Sequence, residues 1–369
     1  MSIDLKKLKP SASMELTQLA KSKKDAGEEV YTLSIGDTHF DPPSIYLNEI
    51  INLPSASTHY GSGQGLTVLR EEVSAKYPGF GASDVVIVPG LKQGFYYTLE
   101  ALGKKKVAVL EPAWLGYQAT CVLVGCNYVA IDAYSEDWLL HLRKSYFDVL
   151  MFCLPNNPDG RVFTVEEVVE IFQIVSEKGA WVIVDIIYER YSFSVDVLEL
   201  LNPLYAYSKL IIGNGFSKSH AMTGHRIGYL LTKNKQVVSD VVNIQQNLAT
   251  CASSFAQHLI ATEVNPKQIE EYQAYYAQNR EEVLRIFPEW KAFKPDGGFY
   301  YFPDFSIYGI ADASAFCLFA LEEGGVAMVP GAAYGANYNT YVRVSYSLDR
   351  ETLIKGLVKL KYLIDQYNA

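Results

Sequence analysis

The feature that most restricts the possible folds is an alternation that begins after Tyr60. Short apolar or β-branched runs, Val85 to Val88, Val107 to Leu110, Val149 to Leu154, Trp181 to Val184 and Leu210 to Ile212, follow one another along the chain. Between them, Leu91 to Ala101, Thr164 to Glu177 and, with looser periodicity, Trp114 to Val124 carry helical spacing. Strand and helix in turn predict an α/β region with a largely parallel sheet. The pattern then changes. Ala249 to Ile286 reads as mainly helical with a break at Asn265 and Pro266, and Lys294 to Phe305 reads as a turn entering a strand. Val326 to Val329, Tyr341 to Tyr346 and a final helix from Arg350 to Tyr367 predict a smaller α+β unit. The expected organisation is a large domain over 46–285 and a small C-terminal domain over 286–369, with the N-terminal segment 1–45 packing on the latter.

Composition removes several function classes. With 369 residues, 49% of them hydrophobic, the chain can bury full cores. Its formal charge of -9 opposes non-specific attraction to nucleic acid or to anionic lipid. No stretch offers about 20 uninterrupted apolar residues, and the polar start from Met1 to Glu29 has no run of signal-peptide length. The five cysteines are odd in number and partly inside apolar runs, which fits free thiols in a reducing compartment; their spacing does not complete a metal site. A cytoplasmic protein with neither nucleic acid nor membrane as partner, and no bound metal, is expected.

In open α/β sheets, ligands sit beyond the carboxyl ends of the strands, so the residues just after each run carry the information about function. These are Gly90, Leu91 and Lys92, then Trp114, then Asn156 and Asn157, then Asp185 and Tyr188, then Ser217 and Lys218. Each has two readings. Lys218 after a small turn residue is either a solvated charge or a partly desolvated, nucleophilic amine. Asp185 either caps the next helix or pairs with a protonated ring nitrogen, with Tyr188 donating to an oxygen on the same ring. The stretch Pro155 to Gly160 is a turn by composition, yet Asn157 could hold that ring oxygen from the opposite side. Gly90 to Gln93 is a tight turn or, at a helix start, a phosphate cradle that Ser217 and Arg226 would complete.

Taken together, LSIGDTHFDPP, HYGSGQGLTVLRE, VPGLKQGF, EPAWLGY, LPNNPDG, VDIIYERY, FSKSHAMTGHRIGY, PDGGFYYF and VPGAAYGANYNTYVRVSYS resemble fold type I pyridoxal-phosphate enzymes of the aspartate aminotransferase superfamily, in the family's order and over nearly the whole chain. The resemblance implies a large domain with a mostly parallel sheet of the seven-stranded type, flanked by helices, and a smaller α+β domain. It implies pyridoxal 5'-phosphate as cofactor and Lys218 as the lysine that links to it covalently and shuttles the substrate's α-proton. Asp185 would pair with the ring nitrogen, Tyr188 and Asn157 with the ring oxygen, and Trp114 would stack on the ring. Backbone N–H groups of Leu91 and Lys92, the Ser217 hydroxyl and Arg226 would hold the phosphate. Tyr60 matches a residue that reaches the neighbouring subunit's phosphate, implying a homodimer with shared sites. Arg343 and Gly36 match contacts to the substrate α-carboxylate.

The sequence departs from the family pattern at His39, Asp159, Ile186 and His225, and Asp37, His39 and the surroundings of His225 are expected to face the pocket. The remaining histidines, His59, His141, His220 and His258, lack metal-ligand spacing and are expected to be structural or surface residues. The function implied is transfer of an amino group between an amino acid and a 2-keto acid. The resemblance also implies, through Ser13 and Lys92 at positions that help bind the distal carboxylate in acidic-substrate members of the family, that one partner is aspartate or glutamate. The alternative is an elimination, replacement or cyclisation on a functionalised amino acid, for example a hydroxylated guanidino one. A binding protein that kept the fold and lost catalysis would be expected to lack Lys218, Asp185 or Arg343, and all three are present.

Overall fold

A computed structural model describes residues 12–103, 105–261 and 266–367. Twelve strands occur among these residues: β1 (Tyr31–Thr32), β2 (Val85–Val88), β3 (Lys106–Glu111), β4 (Asn127–Asp132), β5 (Val149–Cys153), β6 (Trp181–Asp185), β7 (Leu210–Gly215), β8 (Gly228–Leu231), β9 (Tyr300–Tyr301), β10 (Val326–Ala327), β11 (Val329–Pro330) and β12 (Val342–Ser345). Seven of them form one sheet in the order β2-β8-β7-β6-β5-β3-β4. All pairings are parallel except the two made by β8.

Residues of β2, β5 and β7 are buried throughout, as a parallel sheet covered on both faces requires. Side chains divide between the faces by the strand period of two. Val86, Val88, Val107, Val109, Val149 and Met151 enter one apolar core, and Val85, Ile87, Ala108, Leu110, Leu150 and Phe152 enter the other. The first core continues without interruption into C-terminal residues such as Trp290, Phe299 and Leu353.

The five expected runs are strands, and the expected helices are present as Leu91–Leu102, Gly116–Val124 and Val165–Lys178. The last shows why its ends fall where they do: Thr164 Oγ1 accepts from the Glu167 N–H, the Glu167 carboxylate accepts from the Thr164 N–H, and Gly179 ends the helix in the left-handed region at φ 57°. Two strands of the sheet were not anticipated. β4 is a partly exposed edge strand whose four central residues, Tyr128 to Ile131, are flanked by Asn127 and Asp132, and β8 is a four-residue segment opening on glycine; neither was read as a strand from the sequence.

Elsewhere the boundaries moved. The stretch from Lys235 to Ile286 holds three helices, Lys235–Ala249, Ser254–Ile260 and Pro266–Ile286, separated first at Thr250, where φ is 63°. Pro266 starts the last of them, as expected of a residue without an N–H, while Asn265 lies outside the described residues. The run from Val326 to Val329 is two short strands. β10 pairs in parallel with β1, and β11 pairs with β12, which also pairs with β9. The N-terminal helix Ala12–Asp25 buries Leu16 and Ala20 in the core that the C-terminal residues share. No helix among the described residues is long and apolar enough to cross a membrane.

Sheet order also places the site. The chain runs from β3 outward to β4 and then returns to β5 on the other side of β3. This reversal opens a crevice beyond the carboxyl ends of β3 and β5.

Candidate active site

A cavity of about 420 Å³ occupies that crevice. Its lining includes Gly36, Leu91, Lys92, Trp114, Asn157, Asp185, Tyr188, Ser217, Lys218, Arg226 and Arg343, so every expected site residue except Tyr60 is brought together. Tyr60 is 87% exposed and lines a separate surface depression with Cys251, Ser254 and Phe255.

Asp185 is the last residue of β6 and only 4% exposed. Its Oδ2 accepts from the Tyr117 hydroxyl at 2.7 Å and its Oδ1 from the Ile187 N–H at 3.0 Å. Burial raises its pKa to about 6, against the opposing effect of those two bonds. Lys218 lies three residues beyond β7, and its Nζ donates to the Gly36 carbonyl at 2.5 Å. Desolvation lowers its pKa to about 8; Asp37 works against that shift, and Arg343 and Arg226 add to it. One wall therefore holds a buried carboxylate and the other a desolvated amine.

The helix from Leu91 to Leu102 begins after Gly90, whose φ of 79° favours glycine, and a Cβ there would collide with the Arg226 guanidinium. Arg226 is itself left-handed at φ 55°, and its Nη1 donates to the Thr223 carbonyl at 2.8 Å. The opening turn of a helix, the Ser217 hydroxyl and this cation thus meet at one end of the cavity, which is the donor set for a phosphate.

At the other end, Asn157 Nδ2 donates to the Tyr188 hydroxyl at 3.2 Å, and Asn157 Oδ1 accepts from Arg343 Nη1 at 3.2 Å. Arg343 Nη2 donates to the Ser34 carbonyl at 2.8 Å. The guanidinium is 6% exposed and lies 4.2 Å from the centre of the Tyr300 ring, with Tyr334 at 5.4 Å on the same lining. An arginine fixed in this way on a short strand can offer a carboxylate a planar fork. Lys92 Nζ sits 5.3 Å from the Trp114 ring centre.

Several contributors were missed by sequence reasoning. Tyr117 and Tyr300 lie inside the stretches EPAWLGY and PDGGFYYF, but a tyrosine among 27 gives no sign of its direction. Tyr300, Thr17 and Cys153 line the cavity, and Tyr117 stands behind its lining, hydrogen-bonded to Asp185. Of the residues expected to face the pocket, Asp37 does, as does Thr223 beside His225, with the Thr223 hydroxyl donating to Asp37 Oδ2 at 2.8 Å. His39 and His225 do not belong to the lining. The His39 ring instead packs against Phe40 and Tyr275 at 4.0 and 4.9 Å and hydrogen-bonds the Tyr276 hydroxyl at 3.1 Å, because this aromatic cluster offers it burial. Asp159 secures the turn: it accepts from Asn156 Nδ2 at 2.8 Å and from the Tyr134 hydroxyl at 3.0 Å. Ile186 is fully buried core. The side chain of Ser13 lies outside the described residues.

The sequence profile of the family "aminotransferase class I and II" matches residues 28–360. The chain belongs to the class I and II aminotransferases. It is similar to the aspartate aminotransferase of Musicola paradisiaca, with 26% identity over 387 residues, 99% of this chain and 96% of that one. It is also similar to the aspartate aminotransferase of Pyrococcus abyssi, with 29% identity over 389 residues and coverage of 99% and 98%. Among solved structures, the aromatic aminotransferase of Pyrococcus horikoshii superposes with a TM-score of 0.83 at 28% identity, covering 95% of this chain and 99% of that one.

The chain is thus a pyridoxal-phosphate-dependent aminotransferase of fold type I, moving an amino group between an amino acid and a 2-keto acid, and the elimination or cyclisation alternative is not favoured. The cavity's donor set fits the cofactor: a carboxylate for a ring nitrogen, an amine for an aldehyde, a phenol and an amide for a ring oxygen, and a helix start with a cation for a phosphate.

Proposed function

We propose that Lys218 is the catalytic lysine of this aminotransferase and that the cavity residues divide the work between cofactor and substrate. The observation that carries this reading is the convergence of a buried carboxylate, Asp185, and a desolvated amine, Lys218, in one cavity. When bound, pyridoxal phosphate supplies an aldehyde carbon and an electron-accepting ring. Lys218 Nζ, with a pKa near 8, is neutral in a far larger fraction at neutral pH than an exposed lysine would be, so it can take the proton from the substrate Cα and return it. Asp185, without competing solvent, holds a proton on the ring nitrogen. Tyr188 Oη and Asn157 Nδ2 hold the ring oxygen, and Trp114 presents its face to the ring. The phosphate takes the N–H groups of Leu91 and Lys92, the Ser217 hydroxyl and Arg226.

Arg343 and the Gly36 backbone hold the α-carboxylate, which fixes the Cα proton within reach of Lys218. Lys92, a further cation on the lining, favours a dicarboxylic partner such as aspartate or glutamate. In our reading, residues 46–285 form the large domain and 286–369 the small one, and the segment 1–45 packs with the small domain, a placement that the β1–β10 pairing supports. The protein acts in the cytoplasm as a homodimer in which Tyr60, exposed in the single chain, reaches the neighbour's phosphate.

The test is to mix purified holoenzyme with single amino acids (acidic, aromatic, arginine and hydroxyarginine types), following the cofactor's absorbance and identifying products by mass. Conversion to the amino form of the cofactor with release of a keto acid from aspartate or glutamate is expected. Return of the original spectrum with an eliminated or cyclised product would overturn the reading. The dimer is tested by mixing Tyr60→Ala and Lys218→Ala chains under subunit exchange. One intact site per hybrid should restore activity that neither variant has alone, and no restoration would remove Tyr60 from the partner's site.

A further inference from the structure

One contact just behind the cavity lining has no part in the roles above. Tyr117 stands in the first turn of the helix Gly116–Val124, three residues beyond Trp114, and is fully buried. Its hydroxyl donates to Asp185 Oδ2 at 2.7 Å, and the Ile187 N–H donates to Oδ1 at 3.0 Å. Each carboxylate oxygen therefore has one donor and keeps further lone-pair capacity for the cavity. The Tyr117 ring stands edge-on to Trp114, at 5.3 Å and 87°, and to Phe95, at 5.8 Å and 72°. In a close-packed interior, the hydroxyl cannot swing away without displacing both neighbours.

We propose that Tyr117 is a positioning residue for the reaction: its hydroxyl keeps the Asp185 carboxylate ionised and aimed at the cofactor's ring nitrogen, and its edge sets the plane of Trp114. The proposal rests on the reading that Asp185 pairs with that nitrogen. A hydrogen bond to the charged form of an acid favours that form and opposes desolvation. That opposition is needed here, because burial already raises the carboxyl to about 6 with the Tyr117 bond in place.

The groups facing Asp185 from the packed elements leave Tyr117 as its one side-chain donor among the described residues. Tyr117 stays a neutral phenol because burial pushes its pKa far up. The Cys153 thiol, whose residue pairs with Asp185 across β5 and β6, is likewise held neutral by burial, and its Sγ–H donates to the Pro155 carbonyl at 3.1 Å. Tyr188, Tyr300 and Lys218 share the cavity, but their hydrogen bonds go elsewhere: the two phenols bond each other and Lys218 bonds the Gly36 carbonyl. Without the Tyr117 hydroxyl, the proton shared by Asp185 and the ring nitrogen shifts toward Asp185, and the ring accepts electrons less readily.

Tyr117→Phe removes the hydroxyl alone. The holoenzyme variant is expected to lose about tenfold in kcat, which corresponds to about 1.4 kcal/mol, with KM for the amino donor within twofold of wild type. The pH titration of the bound cofactor's visible band should move by half a unit or more, and cofactor retention in equilibrium dialysis should weaken several-fold. Unchanged titration and retention would overturn the role. Tyr117→His, which keeps an N–H donor, should recover at least half of the titration shift and serves as the second variant if Tyr117→Phe does not fold. A folded His variant with a fully displaced titration assigns the effect to packing and also overturns the role. Asp185→Asn separates the two levels. Wild-type titration and turnover in that variant would sink the Asp185 pairing itself, whereas a crippled Asp185→Asn beside an unaffected Tyr117→Phe sinks only the role of Tyr117.

Discussion

The cofactor end and the substrate end of the cavity are built differently. Asp185 ends β6, and Asn157 and Lys218 follow its parallel neighbours β5 and β7, so the rigid sheet sets their spacing. The groups around Arg343 come from Ser34, Asn157, Tyr300 and Tyr334, and the bond from Arg343 to Ser34 joins residues 309 apart in sequence. At the cofactor end, desolvation dominates and shifts an acid up and an amine down. At the substrate end, a permanent cation is held by carbonyl oxygens and aromatic faces. The first arrangement prepares chemistry, and the second prepares orientation; the second can be altered without disturbing the sheet.

The comparison breaks most sharply at Lys218. Lys218→Ala is expected to lose at least about 10³-fold in turnover while still binding the cofactor non-covalently, as judged by dialysis and absorbance. Retained turnover would mean that the proton is moved elsewhere. At the opposite end, Arg343→Gln should cost about 2–5 kcal/mol in kcat/KM for α-amino acids, because it removes the charged fork and disturbs the Asn157 and Ser34 contacts. Its cofactor titration should stay unchanged. A loss confined to kcat with a normal KM would place Arg343 in the chemistry instead.

Asp185 tests the cost of preparing the cofactor end. Its folded pKa of about 6 lies above the ordinary carboxyl value of 3.8, so ionisation opposes folding. The penalty is absent below pH 4, grows between pH 4 and 6 and is full above pH 6. Cofactor-free Asp185→Asn should therefore be more stable than the wild type at pH 7 by roughly 3 kcal/mol, with the gap closing toward pH 4 in denaturant titrations. A pH-independent difference would argue that packing, and not charge burial, controls this wall. The smallest effect is expected far from both ends. Thr164→Ala removes one half of a capping box and should cost about 1 kcal/mol of stability with unchanged kcat and KM.

How much was legible in the sequence follows the same division. The strands β2, β3, β5, β6 and β7 announced themselves because strands buried on both faces must be apolar throughout, and the polar residues just beyond them had to be the site. β4 and β8 gave no such signal, since an exposed edge and a four-residue antiparallel strand need no long apolar run. Tyr117 was invisible for another reason. Whether a tyrosine meets a carboxylate 68 residues away depends on where a crossover helix lands, and the local pattern does not encode that.

The sequence by itself determined the order of strand and helix, the start of the helix at Gly90 and the residues at the strand ends, because backbone preference and apolar periodicity act over a few residues. Only the tertiary structure decided that Arg343 meets Asn157 and Ser34, that His39 turns into an aromatic cluster and away from the cavity, and that Asp185 rests on Tyr117. Those outcomes depend on which distant surfaces exclude water together, and burial, which sets both pKa shifts at the site, exists only after the chain has folded.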